Sequence, residues 1–104
     1  MSIIEETLKN LNITLPPAPA PAANYVPYSK TGKLIFVSGQ IPIVNGEMIV
    51  GKVGKDTEVN DAIKAARACG LAIISQLKEA TNSNLDSISR IIKLGGFVLS
   101  LIHI

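Results

Sequence analysis

The chain has 104 residues, of which 47% are hydrophobic, 17% charged and 4% aromatic, and its ten Lys and Arg against eight Asp and Glu leave a formal charge of +2. That length suits one domain, and that apolar content excludes a disordered chain. Basic residues are scattered rather than clustered, which argues against a module that binds nucleic acid by neutralising phosphates. One cysteine, Cys69, rules out an internal disulfide, and no Cys/His set has zinc spacing, so no metal and no cofactor is expected. The one histidine, His103, lies next to the last residue, a poor place for a catalytic base.

The first residues, Met-Ser-Ile-Ile-Glu-Glu, carry acids where a secretory signal would carry bases, and no apolar run is long enough to span a bilayer. A cytoplasmic protein is expected. Ser2 and Glu5 have capping-box spacing, Ile4, Leu8 and Leu11 share a helical face, and Glu5 and Lys9 form an i,i+4 pair. A helix over 3–11 is therefore predicted. Prolines 16, 17, 19 and 21 end it and predict an extended segment over 15–23, laid across the domain surface.

From Tyr25 the period changes to two. Val26-Pro27-Tyr28, a turn at Ser29-Lys30-Thr31-Gly32, and Lys33 to Gly39 read as a hairpin. Ile41 to Val44 and Glu47 to Val53 flank Asn45-Gly46, the strongest two-residue hairpin signal, so a three-stranded antiparallel meander is expected. Asp56 or Thr57 is placed to cap a helix of about six turns. Its apolar face would hold Val59, Ala62, Ile63, Ala66, Cys69, Ile73 and Leu77. Gly70 within it suggests close approach to the sheet, and Cys69 reads as a core residue rather than a nucleophile. Thr81 to Asn84 end the helix, Leu85 to Ile88 form one further turn, and Arg90 to Val98 read as a strand carrying Gly95 and Gly96. The order predicts an α+β layer, a mostly antiparallel sheet covered by one long helix.

Chemistry is sparse. No phosphate loop, nucleophile elbow or dinucleotide fingerprint is present. Ser38-Gly39-Gln40 is the one polar, backbone-permissive cluster at the end of an apolar strand, where a hydroxyl and an unhindered amide can hold a carboxylate or carbonyl oxygen. A turn with a satisfied serine explains the same residues. Tyr25 and Tyr28 could wall a pocket there or belong to the core.

Asn24-Tyr25, the string Leu34-Ile35-Phe36-Val37-Ser38-Gly39-Gln40-Ile41-Pro42, Gly51-Lys52-Val53-Gly54, and Asn84 to Ile88 followed by Arg90 to Leu94 together resemble the RidA (YjgF) family, formerly called L-PSP endoribonucleases. The lead-in from Leu15 to Tyr25 is similar to a branch that carries an N-terminal helix. The resemblance implies a chorismate-mutase-like α+β fold, a homotrimer with ligand clefts between subunits, and cofactor-free hydrolysis of reactive enamines and imines such as 2-aminoacrylate to a 2-keto acid and ammonia. It implies catalytic roles for Tyr25, which would line the cleft and help orient water, and for Ser38; the Gly39 amide would hold substrate beside Ser38. Two alternatives stand beside it: a non-catalytic trimeric binding module for keto acids or amino-acid derivatives, and the older endoribonuclease label. No membrane or nucleic-acid partner is implied.

The family pattern continues beyond the strand of Phe97 with an arginine that would clamp the substrate carboxylate and a glutamate that would position water. No arginine follows Arg90 and no glutamate follows Glu79, so no residue here takes those roles. The expectation is thus an incomplete domain over 1–98, C-terminally truncated, with impaired activity, and with residues 99–104 (Leu-Ser-Leu-Ile-His-Ile) as a non-native tail.

Overall fold

The computed structural model describes residues 3–18 and 26–100. Their elements run α1 (Ile3–Asn10), β1 (Tyr28–Thr31), β2 (Leu34–Val37), β3 (Ile43–Val44), β4 (Glu47–Met48), α2 (Val59–Ala80) and a 3-10 turn at Leu85–Ser87. The fold is α+β, with antiparallel sheets and one long helix. The chain forms two compact units, one comprising residues up to 40 with 71–91, the other 41–70 with residues from 92 onward.

In the first unit, α1 stops at Asn12, whose φ of 57° is the left-handed conformation that asparagine tolerates better than other residues with a β-carbon. The Ile13 amide reaches back to the Leu8 carbonyl at 2.9 Å and the Asn12 amide to Lys9 at 3.0 Å, a Schellman closure. The N-terminal end of α1 is capped from far away in sequence. Both Asp86 oxygens accept backbone amides, from Ile3 at 2.7 Å and Ile4 at 2.9 Å. Ser2, the expected cap, lies outside the described residues. Glu5 reaches Lys78, at 3.1 Å, an ion pair its helical spacing from Lys9 does not reveal. Beyond α1, the Pro16 carbonyl accepts the Ser75 hydroxyl at 2.8 Å, tying the start of the proline-rich segment to α2. Residues 13–18 have no regular secondary structure, and 19–23 lie outside the described residues.

The hairpin β1–β2 pairs Tyr28 with Val37 and Thr31 with Leu34. Ser29, Lys30 and Thr31, expected in the turn, are strand residues. The loop is Gly32-Lys33, with Gly32 at φ 58° as a tight two-residue hairpin needs at its first position. The Lys30 ammonium donates to the Ala80 carbonyl at 2.9 Å, a cation at the negative end of α2. That helix ends like α1: Asn82 has φ 54°, and the Ser83 amide bonds to the Lys78 carbonyl at 2.8 Å. Among the described residues of this unit, Ala72, Ser75, Gln76, Ala80 and Leu85 are buried.

In the second unit β3 and β4 pair Ile43 with Met48 and Val44 with Glu47 across Asn45-Gly46, whose φ values of 52° and 82° belong to a type I′ turn. The expected continuous meander is instead two separate hairpins. Between them the Ser38 amide is spent on Pro27, and Pro42 has no amide to donate. Asp56 and Thr57 do not act as the expected caps of α2. Asp56 accepts the Lys52 amide and the Thr57 hydroxyl donates to the Val50 carbonyl, so both close the 50–57 loop.

Residues 88–99 form no strand, although their β-branched content predicts one. A strand needs a partner ladder, and the Val53 amide, 2.9 Å from the Leu99 carbonyl, together with a parallel bridge from Val53 to Ser100, makes a short one. Among the described residues of this unit, Val53 is the buried apolar one. The expected apolar face of α2 is also corrected. Val59 and Ile63 are 52% and 60% exposed, and the buried line runs 72, 75, 76 and 80. Around Gly70 a β-carbon would meet nothing within 4 Å, so close approach to the sheet does not account for this glycine.

Candidate functional site

The site is built at the open end of the β1–β2 hairpin, within the first unit. Its last pair is Tyr28 with Val37, and the next residues outward are Pro27 and Ser38. Pro27 has no amide, so only its carbonyl can continue the ladder. That carbonyl accepts twice from one residue, from the Ser38 amide at 3.0 Å and from the Ser38 hydroxyl at 2.9 Å. Gln40 folds back, its Nε2 donating to the Ser38 carbonyl at 2.9 Å. Ser38 is half-buried and fixed on both sides.

This geometry decides what Ser38 can offer. With its proton on Pro27, the hydroxyl presents acceptor lone pairs, suited to a water or to the N–H of an amine or iminium. To donate to a substrate oxygen it must release Pro27. That exchange is cheap, because the Pro27 carbonyl keeps the Ser38 amide and is not orphaned. Gly39 next to it is exposed, and a β-carbon there would meet nothing within 4 Å. Its φ is not in the left-handed region, so the backbone does not require glycine. The open space beside Gly39 allows a ligand to approach the main chain closely.

Ser38 and Gly39 therefore stand together at the strand exit. Tyr25 lies outside the described residues, as does His103. Tyr28, paired in β1, is half-buried. Cys69 is half-buried in α2, and burial pushes its thiol above the ordinary cysteine range, which keeps the proton on sulfur and disfavours a nucleophilic thiolate. Among the described residues no three His, Cys, Asp or Glu side chains gather as a metal site would require, and no helix is long and apolar enough to cross a membrane. Sequence reasoning missed the Pro27 carbonyl. The signal was present in a proline placed opposite a strand-exit serine.

Residues 5–103 match the family described as YjgF/chorismate mutase-like, putative endoribonuclease. Among curated proteins, the chain is 41% identical over 98 residues to Protein TCP17 of Trypanosoma cruzi, a match covering 93% of this chain and 61% of that one. Protein HMF1 of Saccharomyces cerevisiae is 36% identical over 86 residues, covering 83% and 57%. Among solved structures, the protein Atu1372 of unknown function from Agrobacterium tumefaciens superposes with a TM-score of 0.71 at 44% identity, over 86% of this chain and 55% of that one. A putative endoribonuclease from Shewanella oneidensis superposes with a TM-score of 0.70 at 35% identity, over 79% and 54%. The chain thus spans about three-fifths of the length of these curated relatives.

Proposed function

The chain belongs to the YjgF/chorismate mutase-like family, and from that premise we propose that it carries the Ser38–Gly39 half of a site that hydrolyses reactive enamines and imines. In the reaction, 2-aminoacrylate takes up a proton on its methylene carbon to give an imine. Water adds to the imine carbon and ammonia leaves, yielding the 2-keto acid. No electron is exchanged, so the site needs to hold the substrate and a water rather than a redox group.

The observation that carries the reading is the pair of hydrogen bonds that the Ser38 amide and hydroxyl donate to the Pro27 carbonyl. This arrangement presents hydroxyl lone pairs to a water or an iminium N–H beside an accessible Gly39 main chain. Tyr25 is assigned to the cleft wall, orienting water. The carboxylate clamp and the water-positioning acid are not supplied by any arginine after Arg90 or any glutamate after Glu79, so these 104 residues by themselves are assigned little or no turnover. A homotrimer that brings clefts together at subunit boundaries, and a cytoplasmic setting, belong to the same proposal. The endoribonuclease description is less favoured, because RNA cleavage needs an acid–base pair and Ser38–Gly39 provides neither member.

The test is keto-acid release from dehydratase-generated 2-aminoacrylate, in a polypeptide of the relatives' full length that carries this segment. Ser38→Ala is expected to lower the rate about tenfold or more, the scale of one lost hydrogen bond to a polar or charged reacting group. An unchanged rate removes Ser38 from the mechanism. Vigorous turnover by the 104 residues alone would contradict the assignment of the clamp to an arginine outside them.

A further inference from the structure

We propose that α1 is a releasable strap and that the Asp86 carboxylate is its latch. The strap is eight residues long, below the length at which a helix persists in water without support. Its helicity therefore depends on what holds it. Apolar burial supplies little: none of its residues is buried, Ile4 and Leu8 are half-buried, and Ile3 is 76% exposed.

Polar anchors supply the rest. Asp86 accepts the first two described amides of α1, at 2.7 and 2.9 Å, satisfying two of the donors that a helix start leaves without intrahelical partners. These are charge-assisted bonds placed at the positive end of the helix. The Glu5–Lys78 pair, at 3.1 Å and partly exposed, is a weaker second hold. The strap's chain is next tied at Pro16, through the Ser75 hydroxyl.

The two sides of the latch differ in rigidity. Asp86 sits on the 3-10 turn Leu85–Ser87, where Leu85 is 2% exposed and both the amide and the hydroxyl of Ser87 bond to the Asn84 carbonyl, at 3.1 and 2.8 Å. The carboxylate is thus the fixed partner and α1 the partner that leaves. Release uncovers the surface of the 3-10 turn on which α1 rests and leaves the buried line of α2 (72, 75, 76 and 80) in place. It is a local opening whose free energy lies below that of unfolding the unit, as holds for elements with few buried contacts.

Amide hydrogen exchange on the full 104-residue chain tests this, comparing wild type with Asp86→Asn and Lys78→Met. In the wild type the hydrogen-bonded amides of residues 7–13 are expected to exchange faster than those of 75–81. Asp86→Asn keeps the shape but loses the charge and one acceptor, and should speed exchange at 7–13 about tenfold while leaving 75–81 unchanged. Lys78→Met should speed 7–13 by a smaller factor, about twofold. Equal acceleration of both segments, or no change at 7–13, overturns the proposal. Loss of protection throughout α2 in Asp86→Asn overturns it too, because a latch is dispensable to the body it closes on.

Discussion

Gly70 stands in the interior of a helix of 22 residues, is exposed, and has open space where a β-carbon would be. Replacing it with alanine should therefore add helix propensity with no steric cost. Glycine is about 1 kcal/mol less favourable than alanine in a helix interior, through its larger loss of backbone entropy on folding. For an unfolding slope of about 1–3 kcal/mol per molar urea, Gly70→Ala should raise the urea midpoint by roughly 0.3–1 M. The assay is urea unfolding followed by far-ultraviolet circular dichroism, with Ala66→Gly as the reciprocal control. Ala66 is exposed on the same helix, and its replacement should lower the midpoint by a similar amount. A lowered midpoint in Gly70→Ala would refute the reasoning. It would mean that something approaches this face closely in solution, as the sequence expectation of tight contact with the sheet required.

Gly51→Ala should act in the opposite sense. Gly51 has φ 139°, and an added β-carbon would overlap the Thr57 hydroxyl and press on Asp56, so a loss of about 1–3 kcal/mol is expected by urea unfolding. Asn82→Ala places an ordinary side chain at φ 54° and should cost about 1 kcal/mol, while Asn82→Gly should be neutral or stabilising in the same measurement. At pH 8 Cys69 should react more slowly with iodoacetamide in the folded chain than in the urea-unfolded chain, since burial raises its thiol and lowers the thiolate fraction. The sign for stability follows. Above about pH 8.5, where an exposed thiol ionises, the folded state keeps a proton the unfolded state has lost. The contribution of Cys69 is therefore full below that pH and declines as pH rises through the folded value, and Cys69→Ala should flatten the decline.

Local signals in the sequence carry through where the physics is local. Asn45-Gly46 dictates its hairpin because both residues tolerate positive φ, and α2 ends within the polar run Thr81 to Asn84, where Asn82 takes the left-handed conformation; α1 ends the same way at Asn12, ahead of the prolines expected to stop it. The serine at the strand exit is legible because an apolar run changes abruptly to Ser-Gly-Gln. What the sequence does not reveal is non-local. Asp86 caps α1 from more than eighty residues away, Lys30 caps α2 from the facing hairpin, and Ser75 holds Pro16. None of these contacts has a periodicity or spacing that marks it. The strand expected over 90–98 fails for a related reason: β-branched residues express a preference, whereas a strand exists only with a partner. The role of the Pro27 carbonyl falls between, since the missing amide of proline is readable but its position opposite Ser38 depends on hairpin register, which the misplaced turn shifted.

The most direct test of the Ser38–Gly39 assignment is a titration of the isotope-labelled chain with pyruvate, the keto acid that 2-aminoacrylate hydrolysis yields, followed by amide chemical shifts. Saturable shifts are expected at Ser38 and Gly39. They should be lost in Gly39→Ala, where the added methyl meets no protein atom within 4 Å and so blocks the ligand without disturbing the fold. Shifts confined to residues outside the hairpin end, or equal binding by Gly39→Ala, would contradict it.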